Sequence, residues 1–339
     1  MIGPPTMLLT SRIPIFTAVV LLAFAQRAIS AQQPHALPNG APPVPVDATE
    51  AQVQRAVAGV RAGAVLTPKT WPNGARVAVC LSFDVDNEFH VATYNSLPVP
   101  LSTGEYGATT GLPRILALLD RQRIPASFFI PAMSAALHPE MIQEILKPKK
   151  HEIGVHGWVH EYIPSLKDAA HEERLLTQSI DYLTKAVGMR PVGYRAPSWE
   201  FGPHTLEQIR KAGFLYDSSM MAMDQPYELL SNGSHTGLIE LPVSWALDDF
   251  AYFGLNSNGS LPDREAVFKI FRSEFDVAYN DRTLFVLTLH PAVVGLRSRT
   301  VELEKLIAYM KAKPGVWFAT LAQVASYIKN NDSVDHPLH

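Results

Sequence analysis

A single cysteine, Cys80, rules out an internal disulfide, so no covalent cross-link supports the fold. Its place in an apolar run marks it as a small buried hydrophobe rather than a nucleophile. Charge is also sparse. Charged residues make up 18% of the chain and the formal net charge is -3, with no long basic run, which excludes a nucleic-acid surface. Long apolar runs are missing beyond the N-terminus, so no later segment is suited to cross a bilayer. What the chain does have is 47% hydrophobic residues in 339, enough for one large α/β barrel or two ordinary domains.

Residues 1–30 read as a secretory signal. Arg12 supplies the positive end, Ile13 to Ala25 the short apolar core, and Ala28-Ile29-Ser30 a small-residue cleavage pattern. An uncleaved anchor is the alternative, but roughly 13 apolar residues fall short of the ~20 that a spanning helix needs. The expected location is therefore secreted or periplasmic. Residues 31–69 read as a Pro- and Ala-rich linker followed by a helical segment, with Val53, Val57 and Val60 on one stripe. The catalytic domain is expected over 70–330, with a tail at 331–339. Three sequons, at Asn232, Asn258 and Asn331, matter only in a eukaryotic secretory pathway.

From residue 76 onward, strand-like runs alternate with helical patterns. Arg76–Phe83, Ala126–Ile130, His151–Val155, Leu284–Leu289 and Val316–Ala319 read as strands. Leu112–Asp120, Ala169–Val187, 205–212, Arg264–Asn280, Val301–Ala312 and Leu321–Lys329 read as helices. Such alternation predicts a parallel sheet with helical crossovers, with reactive groups at the carboxyl ends of the strands.

Those ends carry the chemistry. Asp84 and Asp86 alternate along an extended segment, so both side chains point one way; buried there, they bind a cation or handle protons, unless the segment is an Asp-rich turn. His156 and His160 are spaced i, i+4, and one helical turn would place both rings on one face. Twelve histidines in this length produce roughly 0.4 such pairs by chance, so the pair alone could equally be two solvated loop residues. One carboxylate with two histidines suits Zn²⁺ with open positions for water and substrate. Arg195, in an apolar stretch, could hold a carboxylate ionised or form a structural ion pair. His290, after Leu287-Thr288-Leu289, could protonate a leaving amine or be a satisfied core histidine. Asp217 could partner His290 or belong to a turn, and Asp248 and Asp249 could be ligands or a solvated turn, the turn being the favoured reading. Trp199 and Trp245 could close a narrow pocket or simply pack.

With these residues in order, the chain resembles the polysaccharide deacetylase family, also called the NodB-homology or carbohydrate esterase family 4 fold. The resemblance covers about residues 70–330. It implies a distorted (β/α) barrel in a single catalytic domain and a metal-dependent hydrolase of carbon–nitrogen bonds other than peptide bonds, commonly holding zinc. By residue it implies Asp84 as catalytic base, Asp86, His156 and His160 as metal ligands, and Arg195 as tether of Asp84. It also implies His290 as general acid with Asp217 near it. Departures are visible: Val85 separates the usually adjacent aspartates, Gly157 replaces a usual serine, and Ser198 replaces a usual tyrosine. These resemble the subgroup holding a Helicobacter-type peptidoglycan deacetylase and the allantoinase-like and cyclic-imide hydrolases. The substrate expected first is N-acetylglucosamine in peptidoglycan or a related polysaccharide, because export places the enzyme beside cell-wall polymer. Small cyclic amides, imides or ureides come second. A silent carbohydrate-binding protein comes last. A homo-oligomer is compatible with the sequence, and no nucleic-acid partner is expected.

Overall fold

The computed structural model describes residues 44–89, 96–254 and 262–331, together with Met1 and Gly3. Everything below concerns the compact unit Pro38–His339. The expected signal, apart from Met1 and Gly3, and the tail from residue 332 lie outside the described residues. Among those residues no helix is long and apolar enough to cross a membrane.

Ten strands form one sheet: β1 Val60–Val65, β2 Val77–Asp84, β3 Ser127–Ile130, β4 Glu152–Val155, β5 Gly193–Tyr194, β6 Tyr216–Asp217, β7 Tyr227–Ser231, β8 Ser234–Glu240, β9 Leu284–Leu289 and β10 Val316–Phe318. Their order is β1-β7-β8-β6-β5-β4-β3-β2, and β9 lies along the far edge of β2. The near edge of β2 is shared, with β10 on Val77–Val79 and β3 on Ser82–Asp84. Pairing is parallel except at β1–β7 and β7–β8. The sheet curls until Asp248, beyond β8, bridges Thr288 of β9. This is the distorted (β/α) barrel expected from the sequence.

Strand period two sorts the core into two layers. Val77, Val79, Leu81 and Phe83 of β2 face outward, packing with Ile115, Leu118, Leu303 and Ile307 of the covering helices. Ala78 and Cys80 face inward with Phe129, Tyr216, Leu284 and Val286, where the helix Leu321–Lys329 fills the barrel floor. Half-buried Glu152 fastens that plug by accepting from Ala322 N at 2.9 Å, Ser127 Oγ at 2.7 Å and Tyr216 Oη at 2.7 Å. The same inward phase, continued to the strand ends, runs from Ala78 through Ser82 to Asp84, from Gly154 to His156, from Gly193 to Arg195, and from Val286 to His290. The barrel interior is thus apolar at its floor and polar at its mouth. Gly193 is needed for this closure, since a Cβ there would overlap the ring and hydroxyl of Tyr216.

Three readings change. The helix near the N-terminus is only Glu50–Val57 and buries nothing, so the Val53 and Val57 stripe is exposed rather than core. Val60 instead begins β1, which pairs with β7, so the sheet starts inside the segment expected to be linker and helix. The β7–β8 hairpin was hidden because its strands carry Glu228 and His235 in place of a clean apolar alternation. Its two-residue turn, Asn232 (φ 48°) and Gly233 (φ 78°), was nonetheless written in the sequence as Asn-Gly.

Candidate active site

Four strand ends and one loop converge at the mouth of the barrel. Asp84 ends β2 and Asp86 follows two residues later, both buried. His156 and His160 follow β4, Arg195 follows β5 and His290 follows β9. The histidine pair is not on a helix. Residues 156–160 form a loop that turns through Gly157 (φ 78°) and His160 (φ 55°), and the Glu161 carboxylate closes it by accepting from Trp158 N and Val159 N at 2.9 Å. The turn brings the two rings within 5.1 Å between centroids. Gly157 is required there: its φ is left-handed, and a Cβ would lie 2.7 Å from Pro197 Cγ. Asn87, Ser198 and Trp199 also have positive φ, so strained backbone clusters around the site.

Arg195 is fully buried and uses its whole guanidinium. Nη1 donates to Asp84 Oδ1 at 2.7 Å and to Ser82 Oγ at 3.0 Å. Nε and Nη2 donate to Ser218 O and Ser218 Oγ, both at 2.9 Å. Phe129 supports the guanidinium from one face, with its centroid 4.2 Å away. Asp84 is therefore paired and oriented by Arg195.

Beside it stand Asp86, His156 and His160, whose donor atoms all lie within 4.8 Å of one another. His156 Nδ1 donates to Arg195 O at 2.8 Å, which fixes the tautomer and turns Nε2 toward Asp86 Oδ1 at 3.4 Å. His160 Nε2 is 3.7 Å from Asp86 Oδ2. Asp86 Oδ1 is buried and accepts no hydrogen bond. A buried carboxylate oxygen without a donor, facing two imidazole nitrogens, fits a divalent cation. The electrostatics differ between the two histidines: burial would lower His156, but Asp84 and Asp86 raise it. Burial alone would raise the Asp86 carboxyl, yet His160, His156 and His290 hold it far below the usual carboxylate range. Burial pushes His160 down to about 4, leaving it neutral as a ligand must be.

His290 is placed by residues the sequence reading passed over. Its Nδ1 donates to Asp249 Oδ1 at 2.7 Å, its backbone N donates to both Asp249 oxygens at 3.1 Å, and Asp248 Oδ1 is 3.5 Å from Nδ1. Asp248 and Asp249 are buried partners, not a solvated turn, because curling of the sheet lays their segment on β9. Against the burial that would lower it, His290 is raised well above its ordinary value by the hydrogen bond and charge of Asp249, then by Asp248. Nε2 faces the site, 3.8 Å from Asp86 Oδ2.

Asp217 does not partner His290. It sits at the end of β6, in register with Glu240 of β8, and accepts from Ser219 Oγ at 2.8 Å and Ser219 N at 3.1 Å. Burial raises its carboxyl to about 6 and raises Glu240 well above its usual range. Two buried carboxyls this close share a proton, which makes the pair part of the barrel wall.

Asp84, Asp86 and His290 open onto a cavity of about 430 Å³ walled by Tyr106, Phe250, Phe253, Val293 and Leu296. Trp199 and Trp245 stack on each other, centroids 4.4 Å apart, and do not line that cavity.

A family profile described as polysaccharide deacetylase matches residues 91–216, a span that holds His156, His160 and Arg195. A "Peptidoglycan deacetylase" of Helicobacter pylori is 31% identical over 264 residues, covering 69% of this chain and 89% of the relative. The chain belongs to the polysaccharide deacetylase family. A solved Mycobacterium smegmatis protein described as a polysaccharide deacetylase shares the fold of this deacetylase-family chain with a TM-score of 0.73 and 36% identity. The match covers 79% of this chain and 95% of that one. The allantoinase PuuE matches with a TM-score of 0.68 and 25% identity, over 77% of this chain and 93% of its own. The family is thus a hydrolase family.

One expected outcome concerns the pH profile. Replacing Asp249 with asparagine removes the charge that raises His290, so His290 loses its proton at lower pH. If His290 is the acid, the alkaline limb of kcat/KM should move to lower pH in Asp249→Asn. A limb that stays in place, measured across pH 6–10 with metal in excess, would remove His290 from the role.

Proposed function

We propose that this chain is an exported, metal-dependent N-deacetylase acting on N-acetylated sugars of peptidoglycan or a related polysaccharide, with N-acetylglucosamine as the expected unit. The observation that carries the reading is the pairing of two built proton-handling groups, Asp84 on Arg195 and His290 on Asp249, across Asp86 and its two histidines. Asp86, His156 and His160 would hold the metal, and zinc suits one carboxylate with two imidazoles. When bound, such an ion polarises the amide carbonyl and makes water more acidic. Asp84 accepts the proton of the attacking water, aimed by Arg195. His290 Nε2 gives a proton to the departing amine, while Asp249 holds the ring in the required tautomer. The apolar wall of Phe250, Phe253 and Leu296 keeps bulk water from the reacting atoms. The products are acetate and the free amine.

A second reading is supported by the small size of the cavity and by the likeness to an allantoinase: hydrolysis of a small cyclic amide, imide or ureide by the same groups. The two separate in one assay. Zinc-loaded protein should release acetate from peptidoglycan or chito-oligosaccharides and react slowly or not at all with succinimide, hydantoin or allantoin. Fast ring opening with no acetate from any glycan would replace the first reading by the second.

A further inference from the structure

Arg299 is the one permanently cationic side chain among the described residues that line the cavity, and it is only 8% exposed. Its Nη1 donates to Val293 O at 3.0 Å, and the guanidinium lies over Phe253, 4.0 Å from the ring centroid. Those two contacts fix the plane. Among the described residues, the Nε and Nη2 edge, the fork that matches two oxygens of one carboxylate, donates to no acceptor. Asp249 is the nearby anion that acts on Arg299 electrostatically, but its oxygens are already taken by the ring and backbone of His290.

The position of Arg299 sharpens the point. It occupies the first turn of the 15-residue helix Arg297–Lys311, which has no acidic residue in that turn and no side-chain cap. A cation at the positive end of a helix is unfavourable by itself, so helix and side chain together make this wall of the cavity attractive to an anion. The same cavity is lined by Asp84 and Asp86, which disfavours a dianion such as phosphate. A single planar monoanion is the group that suits this mixed lining.

We propose that Arg299 is a specificity-determining residue that binds a carboxylate carried by the substrate, so that a carboxylate-bearing N-acetylated sugar is preferred to its neutral counterpart. This rests on the deacetylase reading and names its substrate class. Aromatic and aliphatic neighbours desolvate the pair, which strengthens it relative to a surface contact.

The test uses full-length, zinc-loaded protein and two probes: muramic acid, an amine product bearing a carboxylate, and its methyl ester, titrated by calorimetry. Muramic acid should bind roughly 10- to 100-fold tighter than the ester, the range for a charged hydrogen-bonded contact. In Arg299→Gln the ratio should fall to near one. Arg299→Lys, which keeps charge but not the fork, should lie between. Acetate release from N-acetylmuramic acid against its methyl ester should show the same order in kcat/KM. A ratio near one in the wild type would overturn the proposal. So would a ratio that persists in a folded Arg299→Gln protein, since the carboxylate would then be held by another group such as the metal. Absence of acetate from both N-acetylmuramic acid and chito-oligosaccharides would sink the deacetylase reading instead, and the titration would still read the carboxylate preference.

Discussion

Zinc content and turnover should fall together when His156 becomes alanine. Its Nε2 is aimed at Asp86 by the Nδ1 bond to Arg195 O, so the nitrogen is positioned before any ion arrives. Losing only an outer hydrogen-bond partner of a metal ligand typically costs 10- to 100-fold in affinity. Deleting the ligand itself should cost on the order of 10²-fold or more. Elemental analysis after dialysis should find His156→Ala nearly zinc-free, with activity at background and a circular dichroism spectrum like the wild type. Full zinc content in a folded His156→Ala protein would withdraw the ligand assignment for this cluster. Excess zinc should not restore the wild-type rate, because the missing nitrogen is one of three ligand atoms. His160→Ala should behave alike.

Asp84→Asn is expected to separate proton handling from metal binding. The amide keeps the shape and can still accept from Arg195 Nη1, but it cannot take a proton from water. Loss of a general base should lower kcat by ~10²–10⁴-fold while zinc content stays at the wild-type level. Stability should also drop, because the Arg195 charge, wholly buried and anchored on Asp84, loses its anion. Breaking such a buried pair from one side costs about 3–5 kcal/mol. A denaturant titration should therefore show a lower midpoint in Asp84→Asn with an unchanged slope. If zinc is lost and the rate recovers on adding metal, Asp84 is a ligand and the roles of the two aspartates are exchanged.

Much of this site was legible along the chain because strand chemistry is local. An apolar run with its period of two ends where the sheet ends, and a polar residue in the inward phase must then face the barrel mouth. That reasoning reached Asp84, Asp86, His156, Arg195 and His290 from their neighbours alone. It also located the helices Ala169–Val187 and Leu321–Lys329 and the strand Leu284–Leu289 at the bounds they adopt. The histidine pair was found through the wrong local geometry. Spacing suggested a helical turn, but Gly157 and His160 adopt left-handed conformations and Glu161 closes the loop by capturing two backbone N–H groups. The glycine was noticed as a departure from the usual serine, while the carboxylate two turns of logic away carried no signal of its own.

The partner of His290 was a different kind of problem. Asp217 and Asp249 are both buried, and either could serve an imidazole. Register sends Asp217 to Glu240, its neighbour across β6 and β8, while closure of the curled sheet lays Asp248 against Thr288 and so brings Asp249 to His290. Arg299 reaches the same cavity only because its helix packs beside that closure. Sequence by itself determined the strand ends, since each depends on residues within a few positions of one another, and the order of motifs at those ends carried the resemblance that gave the reaction class. Tertiary structure decided which carboxylate holds His290 and which cation lines the cavity. Those choices depend on how far a sheet of ten strands curls, a sum of small twists that no single segment encodes.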